Sequence, residues 1–241
     1  MDIQDKVVLI TGASAGIGLA TARLFAATGA KVAVAARSVE KLNQLAAELH
    51  RQSQTVLVVP TDMTHQAEVD RMVETTLQRY GSIDILINNA GQAAAGTIAD
   101  VNPDHYRQII ELNLFGPLHA IQAVVPAMRQ QGGGLILNVS SMVSKMHLPG
   151  LGTYASTKAA LNMLSDTARV ELAPDNIRVI TIYPRMTATD FGKNSLGQQP
   201  MRHQPRSAAP GPDRVIDSAE YVAGKILLAA QTEPAEQFME A

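Results

Sequence analysis

This sequence predicts a single-domain α/β fold: a doubly wound parallel sheet of six to seven strands with helices on both faces. Three observations carry that expectation. Short apolar runs alternate with amphipathic stretches along most of the 241 residues, the rhythm of parallel strands joined by right-handed crossovers. The first run, Val7–Ile10, is apolar throughout, as a strand covered on both sides must be. A glycine-rich turn, Thr11-Gly-Ala-Ser-Ala-Gly-Ile-Gly18, then leads directly into a helical pattern.

The elements follow in order. After Val7–Ile10, a helix is expected over Leu19–Thr28, closed by Gly29. Lys31–Ala36 reads as the second strand, and Ser38 as the N-cap of a helix through Gln52 that carries Val39, Leu42, Leu45, Ala46 and Leu49 on one stripe. Val56–Val59 is the third strand, Thr64 opens a helix to about Tyr80, and Ile83–Ile87 is the fourth strand. Two helices follow, about Pro103–Leu112 and Gly116–Gln131, and then Gly132–Gly134, read as a turn rather than a phosphate loop. Leu135–Val139 is the fifth strand, Thr153–Leu172 a long helix, and Ile177–Tyr183 the sixth strand. Between Arg185 and Arg214 periodicity fades and prolines accumulate, which predicts a mobile substrate loop at about 190–212. Asp213–Gln231 returns to helix, and Glu236–Glu240 leaves room for a seventh strand that is short or absent. No internal repeat or second domain is visible, so residues 1–241 read as one domain.

Composition narrows the function classes. With 46% hydrophobic and 17% charged residues the chain has ample material for a core. A net charge of −2 and a pI near 6.3 give no reason to expect a nucleic-acid or acidic membrane partner. The absence of Cys fits a reducing compartment. The N-terminus lacks a basic segment followed by a long apolar one, and no apolar run approaches the ~20 residues of a membrane helix. A soluble, cytoplasmic protein without a metal site is expected.

Gly12, Gly16 and Gly18 stand between a buried strand and a helix. There the first permits a tight turn, and the others permit close approach of a pyrophosphate and close packing of helix on strand. The helix N-terminus adds free N–H groups and a positive dipole end. A dinucleotide is therefore expected in this turn, against Ser14, Gly16 and Ile17. At the end of the second strand, where an NAD site places a carboxylate, the chain has Ala36, then Arg37 and Ser38. A guanidinium suits a 2′-phosphate, which favours NADP(H).

Tyr154 and Lys158 lie four residues apart on one helix face, and Ser141 precedes Tyr154 by thirteen residues at a strand end. A phenol beside an ammonium is equipped to move a proton on or off an oxygen. Lowering a phenol from ~10 to about 7 takes roughly 4 kcal/mol, a load assigned here to Lys158 and its surroundings.

Together these residues resemble the short-chain dehydrogenase/reductase family over nearly the whole chain. The turn at Thr11–Gly18 is similar to its cofactor turn, and Asn88-Asn89-Ala90-Gly91 to its stabilising motif beside the adenosine half. Asp62-Met63 falls where that family contacts adenine, Asn113 at its helix-bend Asn, and Ser141, Tyr154 and Lys158 match its Ser and Tyr-x3-Lys. The resemblance implies that Tyr154 is the general acid or base and that Ser141 holds the carbonyl oxygen. It further implies that Lys158 lowers the Tyr154 pKa and binds the nicotinamide ribose, and that Asn113 anchors a relay water. It implies a small carbonyl or secondary alcohol as substrate, and a homotetramer with a dimer as runner-up.

The chain departs from the family after the sixth strand. Pro184, Thr187 and Thr189 fall where nicotinamide contacts are expected, but Arg185 replaces the usual Gly and Thr187 an aliphatic residue. Arg185 either crowds the nicotinamide pocket or turns outward into the substrate cleft. The first outcome leaves room for a rival function, a catalytically weak NADP(H)-sensing regulator. Met142, Met146, Leu148 and Leu151 suggest an apolar substrate wall.

Overall fold

A computed structural model of the chain describes residues 1–52, 54–197 and 216–239. Seven parallel strands form one sheet: β1 (Val7–Thr11), β2 (Lys31–Ala36), β3 (Val56–Pro60), β4 (Ile85–Asn88), β5 (Gly134–Val139), β6 (Ile177–Tyr183) and β7 (Glu236–Phe238). The helices are α1 (Gly16–Ala27), α2 (Val39–Arg51), α3 (Gln66–Tyr80), α4 (Pro103–Ile110), α5 (Gly116–Gln130), α6 (Gly152–Leu172) and α7 (Ala219–Thr232). The strand order is β3-β2-β1-β4-β5-β6-β7. The chain winds one way from β1 and then back past it to β4, so the winding reverses between these two strands. Ligands of such sheets bind at that reversal, beyond the carboxyl ends of the strands.

Period-two alternation divides each strand between two cores. Val8 and Ile10, with Val34, Ile85 and Leu137, face a layer made by Phe25 of α1, Leu42 and Leu45 of α2, and Ile226 of α7. Leu9, Ala33, Leu86 and Ile136 face the other layer, with Met72 of α3, Val124 and Met128 of α5, and Ala168 of α6. Each inward side chain is withdrawn from water at roughly 25 cal/mol per Å², which fixes the register, since a one-residue slip exchanges the two faces.

Several boundaries differ from the sequence reading, for local reasons. Helix α1 begins at Gly16, a turn earlier than expected, because Gly16 (φ 53°) turns the chain directly into it. Ser38 holds the N-cap position of α2, but its side chain makes no capping bond. Helix α3 starts at Gln66 rather than Thr64, because the Thr64 N–H and hydroxyl are both donated to Asp62. Gly132 and Gly133 adopt φ of 86° and 143° in the expected turn. Helix α7 starts at Ala219, where Ser218 Oγ caps Tyr221 N, and the expected start at Asp213 lies outside the described residues.

The two helices expected on either side of Asn113 form one continuous rod, α4 joined to α5 by a π-helical turn, Glu111–Phe115. By length and composition alone this rod could cross a membrane, a property the run-length reading of the sequence did not register. Here its Ile109, Val124 and Met128 are consumed by packing inside the protein. On α6, Met163 and Val170 remain exposed. The seventh strand forms and is short: Glu236–Phe238 pairs with Thr181–Tyr183, and the Phe238 ring stacks on Tyr183 at 4.7 Å.

Gly18 tests how tightly α1 must sit on β1. Alanine in a helix ordinarily gains about 1 kcal/mol over glycine. Here an added Cβ collides with the Asn89 amide and the Gly12 carbonyl, a backbone group that cannot step aside. Gly18→Ala is therefore expected to lower stability by about 1–3 kcal/mol, the usual cost of overpacking. Urea unfolding measures it, and an unchanged or raised midpoint would contradict the packing argument.

Candidate active site

The carboxyl ends of β1, β2, β4, β5 and β6 bring the predicted residues to one edge of the sheet. At β1, Gly12 (φ 69°) leaves no space for a side chain beside Ala90 and Asn89. Thr11 Oγ1 accepts from both Asn89 N (3.0 Å) and Ala90 N (3.1 Å), and Asn89 Nδ2 donates to Thr11 O (2.9 Å). The expected stabilising motif thus laces the end of β4 to the glycine turn. Thr11 is the hub, a role the sequence reading missed although the residue opens the motif it quoted. Ser14 lies half-buried in the turn, Ile17 lies in the first turn of α1, and Ala15 at the N-cap offers no side-chain bond. The first N–H groups of α1 therefore receive no capping side chain.

Arg37 is exposed just beyond β2, and Ser38 follows it. Asp62, after β3, is close enough to feel the Arg37 charge. Burial opposes ionisation of Asp62, but bonds from Thr64 and the nearby Arg37 and His65 charges override it and hold its pKa below the usual value. Met63 turns its side chain into the core, against Gly116.

Asn113 is fully buried in the π turn. Its Nδ2 donates to Gln92 O (2.8 Å) and Thr157 Oγ1 (3.0 Å), and its Oδ1 accepts from Gln92 N (2.9 Å). This side chain thus ties the segment after β4 to α6. Gly91 sits between them: a Cβ there would lie 3.2 Å from Asn113 Oδ1 and 3.5 Å from Lys158 Nζ.

Ser141 follows β5, and Tyr154 and Lys158 lie on the buried face of α6. Ser141 Oγ accepts from Val143 N (3.3 Å), and its hydroxyl is near enough to Tyr154 to favour the phenolate. Ser140 is buried and bonded to Asn162. Lys158 Nζ donates to Val139 O at 2.9 Å.

The electrostatics reverse one expectation. Burial pushes the Tyr154 phenol up to about 12, with the Ser141 hydrogen bond pulling the other way. Burial also lowers Lys158 to about 8. In this structure desolvation outweighs the cation expected to depress the phenol, and Tyr154 is protonated at neutral pH.

After β6, Pro184 O accepts from Met142 N (2.9 Å), Thr187 Oγ1 donates to Arg185 O (3.0 Å), and Thr189 packs beside Gly16. Arg185 has a partner that neither expectation named. Its Nε and Nη2 donate to the carboxylate of Asp217 at 3.1 and 2.9 Å. No sequence signal pairs these two residues.

Residues 190–197, the start of the expected mobile loop, cross the site and are tied down. Leu196 N donates to Ala93 O, Ala95 N to Leu196 O (both 2.9 Å), and Gln92 Nε2 to Asn194 O (2.7 Å). The Phe191 ring stands 5.6 Å from that of Tyr154, so an aromatic residue missed from sequence forms one wall of the site. The rest of the expected loop, residues 198–212, lies outside the described residues.

Comparison with known proteins agrees with this geometry. Residues 6–200 match the family model described as short chain dehydrogenase. An uncharacterised oxidoreductase of Listeria monocytogenes is 38% identical over 193 residues, covering 79% of this chain and 78% of that one. The solved L-sorbose reductase of Gluconobacter frateurii, in complex with NADPH and L-sorbose, has a TM-score of 0.85 at 30% identity, covering 100% and 97% of the two chains. The 3-ketoacyl-(acyl-carrier-protein) reductase of Brucella melitensis, in complex with NADH, has a TM-score of 0.85 at 25% identity, covering 98% and 97%. A nucleotide-binding fold, a glycine turn laced to the fourth strand and a family match over residues 6–200 converge: this chain belongs to the short-chain dehydrogenase family and is an oxidoreductase.

Proposed function

We propose that this oxidoreductase depends on NADP(H) and moves a hydride between the nicotinamide and a small carbonyl or secondary alcohol, with Tyr154 as general acid or base. The observation that carries the reading is the placement of Ser141, just after β5, with Tyr154 and Lys158 on the buried face of α6, where burial keeps the Tyr154 phenol protonated.

The residues fit a dinucleotide. Gly12 and Gly18, where any Cβ would strike Asn89 and neighbouring backbone, hold the turn close against the end of β4, and α1 presents N–H groups with no side-chain cap, the standard receptor for phosphate. Ser14, Gly16 and Ile17 would hold the pyrophosphate, and Asp62, Met63 and Asn89–Gly91 the adenosine half. Arg37 and Ser38 would hold a 2′-phosphate, Pro184, Thr187 and Thr189 the nicotinamide, and Tyr154 and Lys158 its ribose. The bound nicotinamide supplies or accepts the hydride.

The chain's own groups manage the proton. A carbonyl oxygen seated between the Tyr154 and Ser141 hydroxyls accepts from both. Because Val143 N–H occupies a lone pair of Ser141 Oγ, the Ser141 O–H remains available to stabilise charge growing on that oxygen. A phenol held near 12 keeps its proton until the oxygen becomes basic enough to take it, which suits reduction. Lys158, fixed by Val139 O, has further N–H donors for the ribose and the phenol.

Removing the proton donor tests the assignment most directly. Tyr154→Phe should cut turnover at least ~10²–10⁴-fold, the usual worth of a general acid, while dinucleotide binding stays measurable by cofactor fluorescence. Retained turnover on a carbonyl panel would sink it.

The cofactor choice is tested at Arg37. A hydrogen bond to a charged group is worth about 1.5–3 kcal/mol, so Arg37→Glu should weaken NADPH by roughly tenfold or more and shift preference to NADH. Unchanged discrimination removes Arg37 from the role.

The pH profile of kcat/KM for reduction tests Lys158. The lysine loses its proton as pH rises through about 8, whereas Tyr154 keeps its own to about 12. The profile should therefore be level at neutral pH and fall above about 8, since kcat/KM reports groups of the free enzyme. A profile level to pH 10 would show that the Lys158 charge is not used.

A further inference from the structure

Resting on the oxidoreductase reading, we propose that Arg185 and Asp217 are a positioning pair that sets the ribbon Pro184–Thr189 for the nicotinamide half of the cofactor. The ribbon is anchored at both ends. Pro184 O accepts from Met142 N, next to Ser141, at 2.9 Å. At the other end Thr189 lies where a Cβ on Gly16 would meet its Cγ2 at 3.1 Å. It therefore runs from the catalytic hydroxyls to the phosphate turn.

Its middle is braced by one residue. Asp217 N donates to Met186 O at 2.9 Å, Ala188 N donates to Asp217 O at 2.8 Å, and the carboxylate takes both prongs of the Arg185 guanidinium. The Asp217 side chain is only 4% exposed and that of Arg185 24%. Exposed ion pairs contribute little, but a desolvated carboxylate gripped by a two-pronged guanidinium holds a defined geometry. Ser218 then caps α7, which packs on α1. The ribbon is thereby referenced to the helix whose N-terminus would receive the phosphates. Where relatives of this family commonly place glycine, this chain uses a side-chain brace.

The test compares ligands that do and do not reach the ribbon. NADPH and NADH carry the nicotinamide; 2′-phospho-ADP-ribose and ADP-ribose lack it. For the full chain, Arg185→Ala and the charge-preserving Arg185→Lys should weaken NADPH about tenfold or more. Binding of 2′-phospho-ADP-ribose should change less than about twofold, within a few tenths of a kcal/mol. The kcat should fall by up to ~10²-fold, as misplacement of reacting groups does. If Arg185→Ala does not fold, Arg185→Lys and the isosteric Asp217→Asn provide the same comparison, with thermal melting recorded alongside. Equal weakening of both ligand classes, or none in a folded variant, overturns the pair. A wild-type chain that binds no dinucleotide overturns the oxidoreductase reading beneath it, whereas a wild-type chain that turns over normally beside unaffected variants overturns the pair alone.

Discussion

Everything at the functional edge depends on the contact between the ends of β1 and β4. Thr11 Oγ1 accepts two backbone N–H groups from Asn89 and Ala90, and the Asn89 amide returns to the Thr11 carbonyl. These groups occupy a junction where the sheet's winding reverses, and buried polar backbone left unpaired there would cost a few kcal/mol per group. Because Gly12 and Gly18 carry no side chains, the lacing is short. The start of α1, the segment carrying Gly91 and Gln92, and the Asn113 turn are positioned relative to one another through it. A second buried chain continues the linkage: Asn88 donates to Asn138 and Asn138 to Ser165 of α6, at 2.9 and 2.8 Å. That connects β4, β5 and the helix bearing Tyr154 and Lys158. Side-chain amides thus perform between strands and helix the alignment that backbone ladders perform between strands.

Burial has opposite effects on the two titratable residues of α6. Both neutral forms are favoured, so the phenol holds its proton more firmly and the ammonium less firmly than in water. The pair is therefore set chiefly by the low dielectric around it. Reading two residues four apart as an acid tuned by a base overlooks this, because the cost of burying each charge depends on neighbours far away in sequence.

The fold was legible because it is written in short-range patterns. Apolar runs, the glycine turn and helix stripes each need fewer than twenty consecutive residues to be read, and six of the seven strands were placed within two residues of their ends. The family's own spacing located Asn113, Ser141, Tyr154 and Lys158, and the structure gathers them at one edge. What remained illegible is long-range. Phe191 facing Tyr154, Thr157 receiving the Asn113 amide and Asp217 gripping Arg185 are contacts between segments whose separation carries no periodic signal. Arg185 shows the limit well: its replacement of a glycine was visible, its partner was not. The direction of the Tyr154 shift was also missed, since exposure cannot be counted from a linear sequence.

The crossing of residues 190–197 over the site has an evolutionary consequence. Those residues join residues 92–95 through a few backbone bonds and a glutamine amide, and contribute nothing to either sheet core. Main-chain bonds of this kind make little demand on the exposed side chains at 191–194, whereas Leu196 packs beside Ala93, Ala94 and Tyr154 and Gly197 (φ 72°) has no room for a Cβ. Phe191, beside Tyr154, can therefore change while the sheet, the glycine turn and the Tyr154 helix stay fixed. The wall beside Tyr154 and the two sheet cores are thus carried on separate stretches of the chain.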